Sequence, residues 1–250
     1  MKNITVILFI FLIDLISFIR LSDTNEYPYG YIKIYTSLYC PFKENYVKQN
    51  ENNIDFIVNN TADSNGKYKM EMHFKNFNPN NNIVFKDIIE CFIYIESFDF
   101  SNFKTSSLKN MANMFSSLSS LKSVDLSYLN LSSVTSMEGM FYQCFTLNSI
   151  NLSHTDISSV TNMKNMFFLG NAFNVIDLSY FNLSSVTNIE GMFSQCNNLK
   201  LINLSHSDIS FLTNMKNMFS SLSNLKSIDL SYSNLSSVTN IEKCFHNVII

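Results

Sequence analysis

Residues 121–144 read LKSVDLSYLNLSSVTSMEGMFYQC, and residues 147–167 answer them with LNSINLSHTDISSVTNMKNMF. The closing Met-Phe pair belongs to a series. Phe115, Phe141, Phe167, Phe193, Phe219 and Phe245 follow one another every 26 residues, each preceded by Met or Cys. A strict period of this length predicts a solenoid, in which each repeat buries its apolar side only against neighbouring turns. Function then has to be sought on a repetitive surface.

Aligning the repeats gives columns with readable chemistry. Val124 with Leu126, Ile150 with Leu152 and Ile202 with Leu204 place apolar residues at i and i+2, the pattern of a short half-buried strand. With Phe98 and Phe100 leading the series, six such strands are expected to stack in parallel. Further on, Met137, Met140, Phe141 and Cys144 follow an i, i+3, i+4, i+7 spacing that predicts a short helix. Thr135 with Glu138, Thr187 with Glu190 and Thr239 with Glu242 fit a capping box at its start.

The columns also alternate. Glu138, Lys164, Glu190, Lys216 and Glu242 put opposite charges on adjacent turns, an inter-turn ladder that fixes register more than it adds stability. The strand column Asp99, Asp125, Asn151, Asp177, Asn203, Asp229 stacks Asp on Asp only in its first pair, and Asn130, Asp156, Asn182, Asp208, Asn234 alternates in the opposite phase. Duplication of a pair of turns explains both.

Outside the array, residues 1–22 read as a basic start and an apolar run, a signal peptide or an N-terminal membrane anchor. Residues 23–95 do not follow the period and are placed as an N-terminal cap with a degenerate first turn, leaving 96–250 as the solenoid. Within the cap, residues 67–75 alternate strictly and predict a strand, while Asn50 to Asn53 and Asn78 to Asn82 read as loops. The chain stops at Val248, Ile249 and Ile250 without a polar closing unit. That predicts self-association at an exposed edge, a shortened product, or a helix that caps itself.

Five cysteines cannot all pair within one chain. Cys144 and Cys196 lie two turns apart, roughly 10 Å at strand spacing and beyond disulfide reach, so they read as core residues, as does Cys244. Cys40 and Cys91 are the candidate disulfide.

The repeats quoted above resemble the BspA-like leucine-rich-repeat surface proteins, whose 26-residue repeat carries the same strand, Val-Thr-x-Met and Met-Phe pattern. The resemblance covers roughly residues 97 to 245. Asn130 sits one position later than the usual buried asparagine of leucine-rich repeats. The resemblance implies secreted or cell-surface proteins of bacteria and parasitic protists, often discussed as adhesins. It implies no catalytic residue.

The candidate recognition surface is the column Tyr128, His154, Tyr180, His206, Tyr232, with Asp125, Asp177 and Asp229 beside it. Rings with polar tips suit protein recognition. Against this, strict alternation from Val124 and Leu126 turns position 128 inward as packing. His154 and His206 are too far apart to share zinc, and Ser153 and His154 point to opposite sides of a strand, so no metal or hydrolase site is expected. Asn59, Asn130, Asn151, Asn182, Asn203 and Asn234 begin N-x-Ser/Thr patterns that a eukaryotic host could glycosylate, five of them products of the repeated Leu-Ser pair. A net charge of −3 without a basic stripe argues against nucleic acid.

The sequence therefore predicts an α/β protein, a right-handed leucine-rich-repeat-like solenoid of about six strand-plus-short-helix turns. It is expected outside the cell or at its surface, binding a protein or glycan on another cell or matrix, with no cofactor and no catalysis. The competing expectation is a passive or self-assembling surface coat.

Overall fold

The computed structural model of the chain describes residues 31–36, 53–62, 67–76, 83, 92–105, 108–179 and 181–248. The expected signal peptide or anchor at 1–22, both candidate disulfide cysteines and most of the expected degenerate first turn lie outside these residues. Four strands, β1 (Tyr31–Thr36), β2 (Asn53–Ala62), β3 (Tyr68–Asn76) and β4 (Ile95–Asp99), form an antiparallel sheet in the order β2-β3-β1-β4. The alternation at 67–75 becomes β3, with Met72 opposite Ile32 and both buried. Strand β1 is an unanticipated second case of alternation, burying Ile32, Ile34 and Thr36 while Lys33 pairs with Asp99 at 3.1 Å. Asn53, expected in a loop, instead opens β2.

Beyond β4 the chain carries short parallel strands spaced by 26 residues: β5 (Ser123–Asp125), β6 (Ser149–Asn151), β7 (Val175–Asp177), β8 (Leu201–Asn203) and β9 (Ser227–Asp229). Equivalent residues pair across turns, Val124 with Ile150 and Ile202 with Ile228. The expected single stack of six is not formed. Strand β4 pairs antiparallel with β1, and the parallel strands fall into two groups, β5-β6 and β7-β8-β9. The N–H of Lys122 still reaches the Glu96 carbonyl at 3.2 Å, and the Glu96 carboxylate lies between Lys67 and Lys122, so β4 joins the antiparallel sheet to the first repeat.

The expected helices are absent among the described residues, where the only helical segment is a 3-10 turn at Phe92–Tyr94. Residues 137–144 instead run as consecutive tight turns with two alternating sets of bonds. Met137, Gly139, Phe141 and Gln143 donate to Asn162, Lys164, Met166 and Phe168 of the next repeat, at 2.8–2.9 Å. Met140, Tyr142 and Cys144 donate three residues back within their own repeat. A helix would direct its N–H groups beyond the first turn to carbonyls four residues back; here alternate N–H groups tie one turn to the next. The capping boxes dissolve for the same reason. The hydroxyls of Thr135, Thr187 and Thr239 all bond a carbonyl of the preceding turn, those of Lys109, Thr161 and Thr213. A second parallel ladder results on this side, with bridges running from Asn110 through Ser136, Asn162, Asn188 and Asn214 to Asn240.

The apolar columns face inward as their spacing demands. Phe115, Phe141, Phe167, Phe193, Phe219 and Phe245 stack with neighbouring centroids 5.3–6.2 Å apart, and the rings from Phe115 to Phe219 are buried. Burying one such ring contributes roughly 2–3 kcal/mol, against about 0–1 kcal/mol for an exposed ion pair, so the phenylalanine column outweighs the charge ladder. Cys144, Cys196 and Cys244 are free and buried, and burial pushes the Cys144 and Cys196 thiols up to about 12.

Candidate functional site

Each repeat turns its corners by folding a side chain onto its own backbone two residues on. At the end of β5 the Asp125 carboxylate accepts from the Ser127 N–H at 2.9 Å and its hydroxyl at 2.6 Å. Asn151 accepts the Ser153 N–H at 3.0 Å, and Asp177, Asn203 and Asp229 repeat the arrangement. Asn130, Asp156, Asn182, Asp208 and Asn234 make a second corner in the same way. Asn162, Asn188, Asn214 and Asn240 make a third, with Ser136 taking the role in its turn. These Asx-type turns are what Asn, Asp and Ser favour in loops. They also account for the N-x-Ser patterns of the array, because the serine supplies the N–H that the asparagine accepts. Asn130 is exposed at its corner and is not an internal ladder residue.

The first corner orients part of the candidate recognition column. His154, His206 and Tyr232 have φ of +64°, +58° and +62°, so the chain leaves the strand alternation and swings these side chains off the array. Tyr128 is 63% exposed and Tyr232 83%, and both histidines are exposed. The inward packing that alternation predicts for position 128 does not occur. The rings of His206 and Tyr232 stack with centroids 4.6 Å apart at 11°. Tyr180 lies outside the described residues.

The neighbouring aspartates are less available than their column position implies. The Ser127 hydrogen bond, partly offset by desolvation, holds the Asp125 carboxyl below the usual range, and the Asn151 amide adds a bond at 3.0 Å. Asp177 and Asp229 are lowered by their own serines, Ser179 and Ser231. Asn between successive Asp residues is thus functional in the fold: an amide donates where a carboxylate only accepts.

On the opposite side, the charge column forms two direct pairs, Lys164–Glu190 at 3.3 Å and Lys216–Glu242 at 2.6 Å. Glu138 instead accepts the Asn162 amide at 3.0 Å, and Glu190 also takes that of Asn214 at 3.1 Å. Among the described residues no three His, Cys, Asp or Glu side chains gather into a metal-binding group.

A corner-turning role for the Asx column was visible in the sequence as the recurring Asp/Asn-Leu-Ser triplet, which hydrophobic periodicity alone does not register. The exposed aromatic row lies next to it.

The family model described as "Mycoplasma protein of unknown function, DUF285" matches residues 67–198 and again residues 147–249. The overlap follows from repeats alike enough for one model to lie along the array in two positions. No curated protein and no solved structure matches this chain.

Proposed function

We propose that this chain, which belongs to the DUF285 family, is a secreted or cell-surface solenoid of leucine-rich-repeat type, akin to the BspA-like proteins its repeats resemble. In this reading it recognises a protein or glycan on another cell or matrix and catalyses no reaction, and the antiparallel sheet serves as the cap of the array. The observation that carries it is the row of exposed rings at Tyr128, His154, His206 and Tyr232. Leaving large rings in water stabilises nothing, whereas rigid rings with a polar tip are the common anchors of recognition surfaces. Their spacing by the fold repeat suits an extended partner better than a small metabolite.

The test replaces Tyr128, Tyr180 and Tyr232 together by Ser and measures attachment of the purified protein to host cells or matrix. We expect attachment to fall by about tenfold or more with an unchanged unfolding midpoint, since each anchor ring lost at an interface costs on the order of 1–2 kcal/mol. Undiminished attachment by the folded variant would remove the column from the mechanism.

A further inference from the structure

Among the parallel strands β5 to β9 the ladder is interrupted at one place. Leu126 donates to Asn151 at 2.9 Å, Leu178 to Asn203 at 2.9 Å and Leu204 to Asp229 at 2.8 Å, yet Leu152 and Asp177 do not make the equivalent bond. Asn148 donates to Lys122 and Lys200 to Asn174, yet Asn174 does not donate to Asn148. Strands β6 and β7 are accordingly unpaired, while β5-β6, β7-β8 and β8-β9 are paired. The other side of the same two turns stays closed, with Met163 donating to Asn188 at 2.9 Å, Asn165 to Glu190 at 2.8 Å and Phe167 to Met192 at 3.0 Å.

The repeat at 170–181 lacks the side chains that staple the following turn to its predecessor. Cys144 and Cys196 donate to the carbonyls of Phe115 and Phe167; Gly170 stands in their column. Thr146, Asn198 and Asn224 bond carbonyls of the previous turn at 2.7–2.8 Å; Ala172 has no group to do so. Ser207 and Ser233 reach the carbonyls of Leu178 and Leu204; Phe181 replaces them. Phe173, in place of Leu147 and Leu199, packs edge-on against Phe167 above Gly170.

These four departures coincide with a cavity of about 250 Å³ between the strands, lined by Ile150, Leu152, Phe173, Ile176, Leu178 and Phe181. That is smaller than the roughly 300–1,000 Å³ of a drug-sized ligand site and close to the volume of one large side chain with its backbone. Two strand segments with unmade ladder bonds border it. Backbone donors and acceptors combined with apolar walls match an extended peptide better than a free apolar molecule, which would leave the backbone groups unanswered.

We propose that the gap between β6 and β7 is a slot for an extended peptide segment, which takes up the interrupted backbone ladder and seats one large apolar side chain in the cavity. The best-matched chemistry is that of the array's own strands, apolar at i and i+2 with polar residues between. The slot is distinct from the aromatic row and does not depend on it.

The probe is a fluorescent synthetic peptide of sequence KSIDLSY, corresponding to Lys226–Tyr232, titrated into the full chain by anisotropy. The comparison is with the variant Gly170→Cys, Ala172→Asn, Phe173→Leu, Phe181→Ser, which gives this turn the residues of the next one. Saturable binding to the parent, weaker by about tenfold or more for the variant and for a peptide with Ser at both apolar positions, is the expected result. Hydrogen exchange of the parent should show peptide-induced protection at residues 148–152 and 174–178, a readout that needs no variant. Absent binding, binding indifferent to the peptide's apolar positions, or protection elsewhere overturns the proposal. So does undiminished binding by a variant whose own exchange shows the gap closed. Loss of attachment in the tyrosine variant with peptide binding intact separates the two sites.

Discussion

Gly139 and Gly191 lie at φ +57° and +61°, in a column otherwise filled by Asn113, Asn165, Asn217 and Lys243, all at positive φ. Gly and Asn are the residues that adopt this conformation most readily, and the tight-turn path requires it once per repeat at this position. The alternation has a packing reason too. A Cβ built on Gly139 would run into the side-chain oxygen of Asn113, and one on Gly191 into that of Asn165. Large and absent side chains therefore alternate from Asn113 to Asn217. Gly139→Ala is expected to destabilise the protein by about 2 kcal/mol, from left-handed strain together with the contact. In an Asn113→Gly background the same substitution should cost measurably less, because only the strain remains. Urea unfolding of the four proteins in this cycle checks it. Equal costs in both backgrounds would mean that the two positions do not meet.

Among the elements, the corners carry more of the architecture than the three-residue strands between them. An Asp and an Asn turn the same corner, at Asp125 and Asn151 for instance, but only Asp titrates. Bonds from Ser127, Ser179 and Ser231 depress the carboxyls of Asp125, Asp177 and Asp229 in the folded state. A depressed folded pKa contributes stability that is present above the unfolded value, about pH 4, and is lost as pH falls through it toward the folded value. Asp125→Asn, Asp177→Asn, Asp229→Asn should thus remain folded at neutral pH and lose less of its thermal midpoint than the parent on acidification from about pH 6 to pH 3. Thermal melts followed by circular dichroism across that range measure it. Identical acid sensitivity of the two proteins would show that these corners do not contribute to it.

At the scale of the whole molecule, ladders on two sides and a phenylalanine column between them make each turn depend on its neighbours. Even the last described turn stacks Phe245 on Phe219, with centroids 5.3 Å apart. The sequence by itself determined the 26-residue spacing, the inward columns from Val124 to Phe219 and the aligned charge column, because a repeat fixes which residues become neighbours whatever path joins them. Columns such as Met137, Met140 and Phe141 satisfy a helix and a ribbon of tight turns equally, so periodicity could not choose between them. Only the tertiary structure decided that. The N–H groups of alternate residues find their acceptors 25 residues away in the next turn, and a bond between turns leaves no mark in the local pattern. The same holds for the exposed rings of His154, His206 and Tyr232, which sit at left-handed corners, and for the gap between β6 and β7, where Gly170, Ala172, Phe173 and Phe181 gain meaning only beside the staples of neighbouring turns.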